Sequence, residues 1–220
     1  MYRIIKRTFD LVAAIVLLIC LAPLILMTAV AVLFSMRRPV LFRQRRPGRG
    51  ERVFTCIKFR TMTDLRDSEG RLLPEERRVT RVGQFLRRMS LDELPQLWNI
   101  FTGDLSFVGP RPLLEEYLPY YSPTERRRHS VCPGLTGWAQ IHGRNSPSFE
   151  ERLAMDIWYV DHASVALDLR ILLSTIGLVI SQKGINPAPG REKRLDLIRL
   201  ENGGTHLPSD TVKDKVASGT

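Results

Sequence analysis

Between Leu11 and Met36 the chain carries 26 consecutive residues without a charge, and about 20 apolar residues are enough for a helix to span a bilayer. The stretch is too long for the apolar core of a secretory leader, and no convincing cleavage pattern flanks it. Pro23 divides it into 12 residues before and 13 after. As helices, the halves would each be about 18 Å long, reaching the bilayer interior but not its far side. Arg3, Lys6 and Arg7 precede the stretch, and Arg37, Arg38, Arg43, Arg45, Arg46 and Arg49 follow it. Positive residues stay on the cytoplasmic side, so a helix–break–helix hairpin that returns to the face it left satisfies both flanks. A conventional spanning helix is the alternative, because proline is tolerated in such helices.

The length of 220 residues suits one medium-sized domain with appendages. The net charge of +10 is concentrated: Arg37 to Arg60 holds nine Lys or Arg against the single Glu51. Arginine outnumbers lysine 27 to 6, and a planar guanidinium grips phosphate bidentately. Cys20, Cys56 and Cys132 are widely spaced and odd in number, which fits neither a disulfide framework nor a zinc site. His129, His142, His162 and His206 are too scattered for a metal cluster.

Val53 to Phe59 reads as a short strand bounded by the turn signals at Pro47-Gly48 and Gly50. Asp64 to Arg78 is charged and reads as a loop. The spacing of Val82, Phe85, Leu86 and Met89 predicts a helix over Thr80 to Met89. Further helices are expected over Phe149 to Val160 and Leu167 to Gln182, the latter apolar nearly all round and so destined for core or membrane interface. Arg126-Arg127-Arg128 reads as a solvated or headgroup-facing patch. The polar, Gly-rich stretch from Pro187 onward reads as a variable tail. The expected fold is α/β, helix-dominated with a few short strands. Neither a run of buried strands nor a GxGxxG supports a doubly wound sheet.

The stretch RRMSLDELPQLWNIFTGDLSFVGPRP, Arg87 to Pro112, concentrates the chemistry. Ser90-Leu91-Asp92-Glu93 has capping-box spacing, with Ser90 at the N-cap and Glu93 at N3 of a helix running to Phe101. Free amides and the helix dipole would favour an anion there. Asp92 and Glu93 stand between Arg87 and Arg88 before them and Arg111 after. Caps alone would also account for the two acids.

Four blocks carry a resemblance: PVLFRQRRPGRGERVFTCIKFRTM (Pro39 to Met62), the stretch above, PGLTGWAQIHGRN (Pro133 to Asn145) and ERLAMDIWYVDHASVALDLRIL (Glu151 to Leu172). Their order and spacing resemble the bacterial sugar transferases, the monotopic phosphoglycosyl transferases that act on polyprenyl phosphate, over roughly residues 1 to 185. The resemblance implies a monotopic membrane protein: a re-entrant hairpin over 1–36 with its break at Pro23, a cytosolic catalytic domain over 37–186 and a variable tail over 187–220. It implies the bacterial inner membrane, with the active site on its cytosolic face. Where the family commonly has Ser-Pro at the break, this chain has Ala22-Pro23, so no serine hydroxyl is there to bond a freed carbonyl. Larger relatives carry an extra N-terminal membrane domain; this chain is expected to begin almost directly at the hairpin.

The implied reaction moves a sugar 1-phosphate from a UDP-sugar to undecaprenyl phosphate and releases UMP. Asp92 matches the family's nucleophile and a metal-side carboxylate, Glu93 the second acid, and Mg²⁺ the implied cofactor. Lys58, Arg87 and Arg111 match phosphate-binding positions. Arg60 is a further candidate for which a salt bridge is an equal alternative. Trp138, Gln140, His142, Gly143 and Arg144 could line the sugar-nucleotide pocket, although Trp138 also reads as a core anchor. Asp156, Tyr159, Asp161 and Asp168 are expected to be structural, with Asp156 or Asp161 as alternative neighbours of the metal. Implied partners are the UDP-sugar, undecaprenyl phosphate and anionic inner-membrane lipids, with a homo-oligomer left open.

A membrane-anchored basic binding or regulatory module is the rival reading. Basic clusters beside a membrane segment suit anionic headgroups, and the collar lacks the interleaved aromatics that nucleic acid would favour. Multi-spanning transferases need many apolar spans, and this chain has one.

Overall fold

Two helices that meet at Leu21 with a 63° bend open the chain: α1 (Tyr2–Cys20) and α2 (Ala22–Met36). These are elements of a computed structural model that describes residues 1–142, 148–181, 195 and 198. Among the described residues no single helix is long and apolar enough to cross a membrane, whereas the bent pair together is. Pro23 stands in the first turn of α2, where its missing N–H would have had no helical partner anyway. The Thr28 hydroxyl donates to the Leu24 carbonyl, one turn back, at 2.8 Å.

The first helix starts nine residues earlier than the uncharged run, because Tyr2, Lys6 and Asp10 have partners in the body of the protein. The Lys6 ammonium reaches Asp168 at 2.7 Å. Arg7 donates to the carbonyls of Ile100 and Phe101 at 2.7 and 2.8 Å. Ala14 is fully buried in the main core with Leu97, Ile100, Leu105 and Val108. In α2, Val32 and Met36 pack against Phe59 and Leu86. The remaining faces of both helices are apolar and exposed, with Ile4, Ile19, Leu26 and Phe34 foremost.

Strands β1 (Leu41–Pro47) and β2 (Val53–Phe59) form an antiparallel hairpin in register from Leu41 opposite Phe59 to Pro47 opposite Val53. The charged stretch after it is not a plain loop. Bridges Met62–Val79 and Arg66–Leu72 fold it back, and a short helix α3 (Glu75–Arg78) closes it. Helix α4 (Arg81–Arg88) follows, capped by Thr80, whose hydroxyl accepts the Gly83 amide at 2.9 Å. A Cβ on Gly83 would lie 2.0 Å from the Thr61 carbonyl oxygen, so only glycine lets α4 rest on that backbone.

Helix α5 (Gln96–Thr102) is attached to the hairpin by Asn99, which is 2% exposed. Its Oδ1 accepts the Ile57 amide at 3.1 Å and its Nδ2 donates to the Thr55 carbonyl at 2.8 Å. The side-chain amide thus stands in for a neighbouring strand at the β2 edge, pairing two buried groups that would otherwise each cost about 1–3 kcal/mol.

Strands β3 (Ser106–Val108) and β4 (Gly134–Thr136) pair in parallel. Between them lie two 3₁₀ segments, Glu115–Tyr120 and Arg127–Ser130, and the short helix α6 (Pro123–Arg126). Helices α7 (Trp138–His142), α8 (Phe149–His162) and α9 (Val165–Ser181) complete the described chain. On α9, Ile171 is buried, while Val165, Leu169, Leu173 and Ile176 form an exposed apolar stripe. Leu195, in the stretch expected to be a polar tail, is fully buried with Tyr117, Tyr121, Phe149 and Leu153. The architecture is helix-dominated, with two two-stranded sheets among the described residues.

Candidate active site

Ser90 adopts a left-handed conformation (φ 54°) and Leu91–Glu93 form a single 3₁₀ turn. This overturns the capping box. Ser90 makes no side-chain cap, and α5 begins three residues after Glu93, behind Pro95. The Glu93 carboxylate is drawn away by stronger partners. Its Oε1 accepts both the Lys58 ammonium at 2.6 Å and an Arg111 guanidinium nitrogen at 2.7 Å. Charge-assisted bonds of this kind outweigh a neutral cap.

The turn sends adjacent carboxylates into opposite surroundings. Burial pulls the Glu93 carboxyl up, but Arg111 and Lys58 together reverse this and hold it at about 2. Asp92 is pushed up to about 6, first by burial and then by the Glu93 charge, against the pull of Lys58, Arg87 and Arg111. Asp92 makes no side-chain hydrogen bond among the described residues, and neither does Glu93 Oε2. One carboxylate is fixed by two cations, and its neighbour is held by no side-chain hydrogen bond among the described residues.

The supporting cations come from four elements. Lys58 projects from β2. Arg87, in the last turn of α4, donates Nε to the Thr61 hydroxyl at 2.9 Å, while its buried Nη1 lacks a partner among the described residues. Arg111 follows β3; its side chain is 44% exposed, and one guanidinium nitrogen is held by Glu93 at 2.7 Å. Its backbone is held throughout. The Gly109 amide donates to Thr136 O, Pro110 O accepts the Gly134 amide, and Pro112 O accepts Arg46 Nη1. A Cβ on Gly109 would lie 2.4 Å from the Cys132 carbonyl oxygen.

The fourth support corrects the reading of Arg126–Arg128 as a surface patch. Arg128 is 3% exposed and ion-paired with Asp156 at 2.7 Å, and the same nitrogen donates to the Arg111 carbonyl at 2.7 Å. Only Arg126 and Arg127 face outward, paired with Glu51 and Asp161. Asp156 and Asp161 are thereby both taken by arginines. Asp168 accepts from Tyr2, Lys6 and Tyr159, an assignment the sequence reading left as general structural duty.

Arg60 makes none of the contacts that bring Lys58 and Arg111 to Glu93. Its guanidinium donates to the Met62 carbonyl at 2.9 Å and pairs with Asp64. Trp138 is 4% exposed and sandwiched between His142 and Trp158, with ring centroids at 3.9 and 4.3 Å, which is the core-anchor alternative. Gly143 and Arg144 lie outside the described residues. Thr61 was not singled out from sequence; its place between Lys58 and Met62 was the available signal.

Among the described residues no group of three or more His, Cys, Asp or Glu could hold a metal ion. Mg²⁺ is ordinarily held by one or two protein carboxylates with phosphates and waters completing the octahedron, and Asp92 and Glu93 are the carboxylates this cluster offers. Clefts of about 490 Å³ beside Arg170 and 620 Å³ beside His129 share no residue with this cluster.

Residues 1–182 match the family described as bacterial sugar transferase. The chain is 54% identical over 182 residues to the "Uncharacterized sugar transferase EpsL" of Bacillus subtilis, covering 83% of this chain and 90% of that one. It is 40% identical over 190 residues to the UDP-glucose:undecaprenyl-phosphate glucose-1-phosphate transferase of Xanthomonas campestris, covering 81% of this chain but 39% of that longer protein. With the UDP-galactose-lipid carrier transferase of Erwinia amylovora the identity is 39% over 199 residues, covering 83% of this chain and 42% of the relative.

Proposed function

The chain belongs to the bacterial sugar transferase family and is a phosphoglycosyl transferase; from that premise we propose that it transfers a sugar 1-phosphate from a UDP-sugar to undecaprenyl phosphate. The observation that carries the mechanism is the split between Asp92 and Glu93. An ionised carboxylate without a hydrogen-bond partner, set among Lys58, Arg87 and Arg111, is an activated nucleophile.

In the first half-reaction an Asp92 oxygen attacks the β-phosphorus of the UDP-sugar. The bond from that phosphorus to the bridging oxygen breaks, and UMP leaves with the oxygen and its electron pair. The product is an aspartyl phosphosugar. In the second half-reaction an oxygen of undecaprenyl phosphate attacks the same phosphorus, the acyl-phosphate bond breaks, and Asp92 is restored as a carboxylate.

Glu93 keeps Lys58 and Arg111 aligned without reacting, since both cations depress its proton affinity. The Arg111 guanidinium, and the Arg87 Nη1 that has no partner among the described residues, would supply donors for phosphoryl oxygens as charge redistributes. Asp92 and Glu93 would hold Mg²⁺, which when bound would screen the diphosphate charge.

The bent α1–α2 pair would sit in the membrane as a re-entrant hairpin, with its exposed apolar faces and the α9 stripe in lipid. The catalytic cluster would then lie at the cytosolic surface of the inner membrane, where the lipid phosphate is displayed. The relatives' names include glucose and galactose, so the donor sugar is the variable to determine.

The experiment is UMP release from a panel of UDP-sugars with purified protein, undecaprenyl phosphate and Mg²⁺. Turnover should require all three components. Without the lipid acceptor, one phosphosugar mass should appear on the peptide containing Asp92. A full reaction with no adduct would replace the two-step mechanism, and an adduct elsewhere would displace Asp92 as its nucleophile.

A further inference from the structure

A row of polar side chains runs down one face of α1. Tyr2, Lys6 and Asp10 recur every four residues and Ala14 continues the row, which places them on one side of the helix. Asp10 is 3% exposed, and its Oδ1 accepts the backbone N–H of Phe107, in β3, at 3.2 Å. A carboxylate removed from water in this way is costly unless it satisfies something equally buried.

What it satisfies is a strand edge. Along one side β3 is paired with β4, the Ser106 amide donating to the Pro133 carbonyl at 2.8 Å. Successive amides of a strand point to opposite sides, so the Phe107 N–H faces away from β4 and needs another acceptor. The next group on that edge is the Val108 carbonyl. The Tyr159 hydroxyl lies between it, at 3.4 Å, and Asp168, at 2.7 Å. Asp168 in turn accepts from the Tyr2 hydroxyl at 2.8 Å and from Lys6 at 2.7 Å. The Phe107 amide of β3 is thus held directly by α1, and the Val108 carbonyl lies beside the Tyr159 hydroxyl that donates to Asp168. Three residues beyond Val108 is Arg111.

We propose that Asp10 is a positioning residue for the transfer reaction: by holding the Phe107 amide it fixes β3, and with it the Arg111 guanidinium against Glu93. The seating of α1 and the geometry of the phosphate clamp then become a single equilibrium. This rests on the reading of Arg111 as a phosphate ligand given above. A clamp displaced by about 1 Å loses activity on the order of a hundredfold, so the enzyme works at full rate only when its first helix is docked.

The test compares Asp10→Ala with Asp10→Asn in the full chain, at matched membrane fraction. Alanine leaves the Phe107 amide without an acceptor and should lower kcat/KM for UMP release on the order of a hundredfold. Asparagine keeps an acceptor oxygen and should stay within a few-fold of wild type. In an Arg111→Lys background Asp10→Ala should cost less than about threefold more, because residues acting through one element are not additive. Asparagine as damaging as alanine, or an undiminished loss in the Arg111→Lys background, would overturn the proposal.

Hydrogen exchange on the wild-type protein decides the case even if Asp10→Ala does not fold. As denaturant rises, peptides covering 5–12 and 105–112 should lose protection together, and separate loss would show that the two elements are uncoupled. A wild-type protein inactive with every UDP-sugar would fail the functional reading alone, and the exchange result would still judge the coupling.

Discussion

Asp92 and Glu93 are chain neighbours whose proton affinities are driven apart, the first up to about 6 and the second down to about 2. The Glu93 charge is among the causes that raise Asp92. The rate should therefore fall below about pH 6 as Asp92 takes up a proton. Glu93→Gln should move that acid limb to lower pH while reducing the maximal rate, because Lys58 and Arg111 lose their common acceptor. A pH–rate profile of both proteins measures this, and an unmoved limb would separate it from Asp92.

Asp92→Asn should abolish turnover and the covalent adduct together, and it should also stabilise the fold at neutral pH. A carboxyl raised from 3.8 to about 6 contributes stability that is present below about pH 3.8 and lost as the pH rises through 6. At pH 8 the asparagine protein should be more stable by about 1–3 kcal/mol, with the difference gone near pH 4. Thermal melts at the two pH values check the sign.

Arg111→Lys and Arg87→Lys keep the charge but lose the fork. Each should lower kcat/KM by about tenfold or more while membrane association persists. For Arg87 the loss includes the bond to Thr61. Unchanged kinetics in both would mean that a point charge suffices.

Arg128→Met should be among the most destabilising single changes. It leaves Asp156 buried without its cation and the Arg111 carbonyl without its donor, and breaking such a pair costs about 3–5 kcal/mol. The double variant Arg128→Met with Asp156→Leu should recover much of the stability but not the activity, because the Arg111 backbone stays unsupported. Denaturant midpoints and UMP release together test this.

Cysteines at the exposed positions Arg3 and Arg43, in a background without the three native cysteines, report topology. Both should resist an impermeant thiol reagent applied to intact cells and react after lysis. Pro23→Leu should favour a straighter helix pair and lower activity without touching substrate. Labelling of position 3 from outside would show a conventional span.

Local pattern is legible in this chain. Val53–Phe59 is a strand over the very residues expected, and the helices around 81–88, 149–162 and 165–181 follow their apolar spacing. The misreadings at Glu93 and Arg128 share one physical cause, namely partners distant in sequence. Glu93 has capping-box spacing, but Lys58 lies 35 residues before it and Arg111 18 after it. Arg128 sits in a run of three arginines, and nothing local says that Asp156 will bury it. For α1 a local clue did exist. The four-residue recurrence of Tyr2, Lys6 and Asp10 marks a polar helical face, overlooked because basic residues beside an apolar stretch read first as a membrane flank.

The burial of Ala14 among Leu97 and Ile100, and of Val32 against Phe59 and Leu86, changes what removing residues 1–36 would mean. Such a truncation would not yield a soluble enzyme freed from its anchor. It would strip one wall from each of two apolar clusters, take Tyr2 and Lys6 from Asp168, and leave the Phe107 amide without Asp10. Replacing the hairpin with an unrelated transmembrane segment would fail for the same reason, because that segment would lack the side chains that complete the core. Efforts to obtain this protein in water, or to move its active site to another carrier, therefore have to take the first 36 residues along.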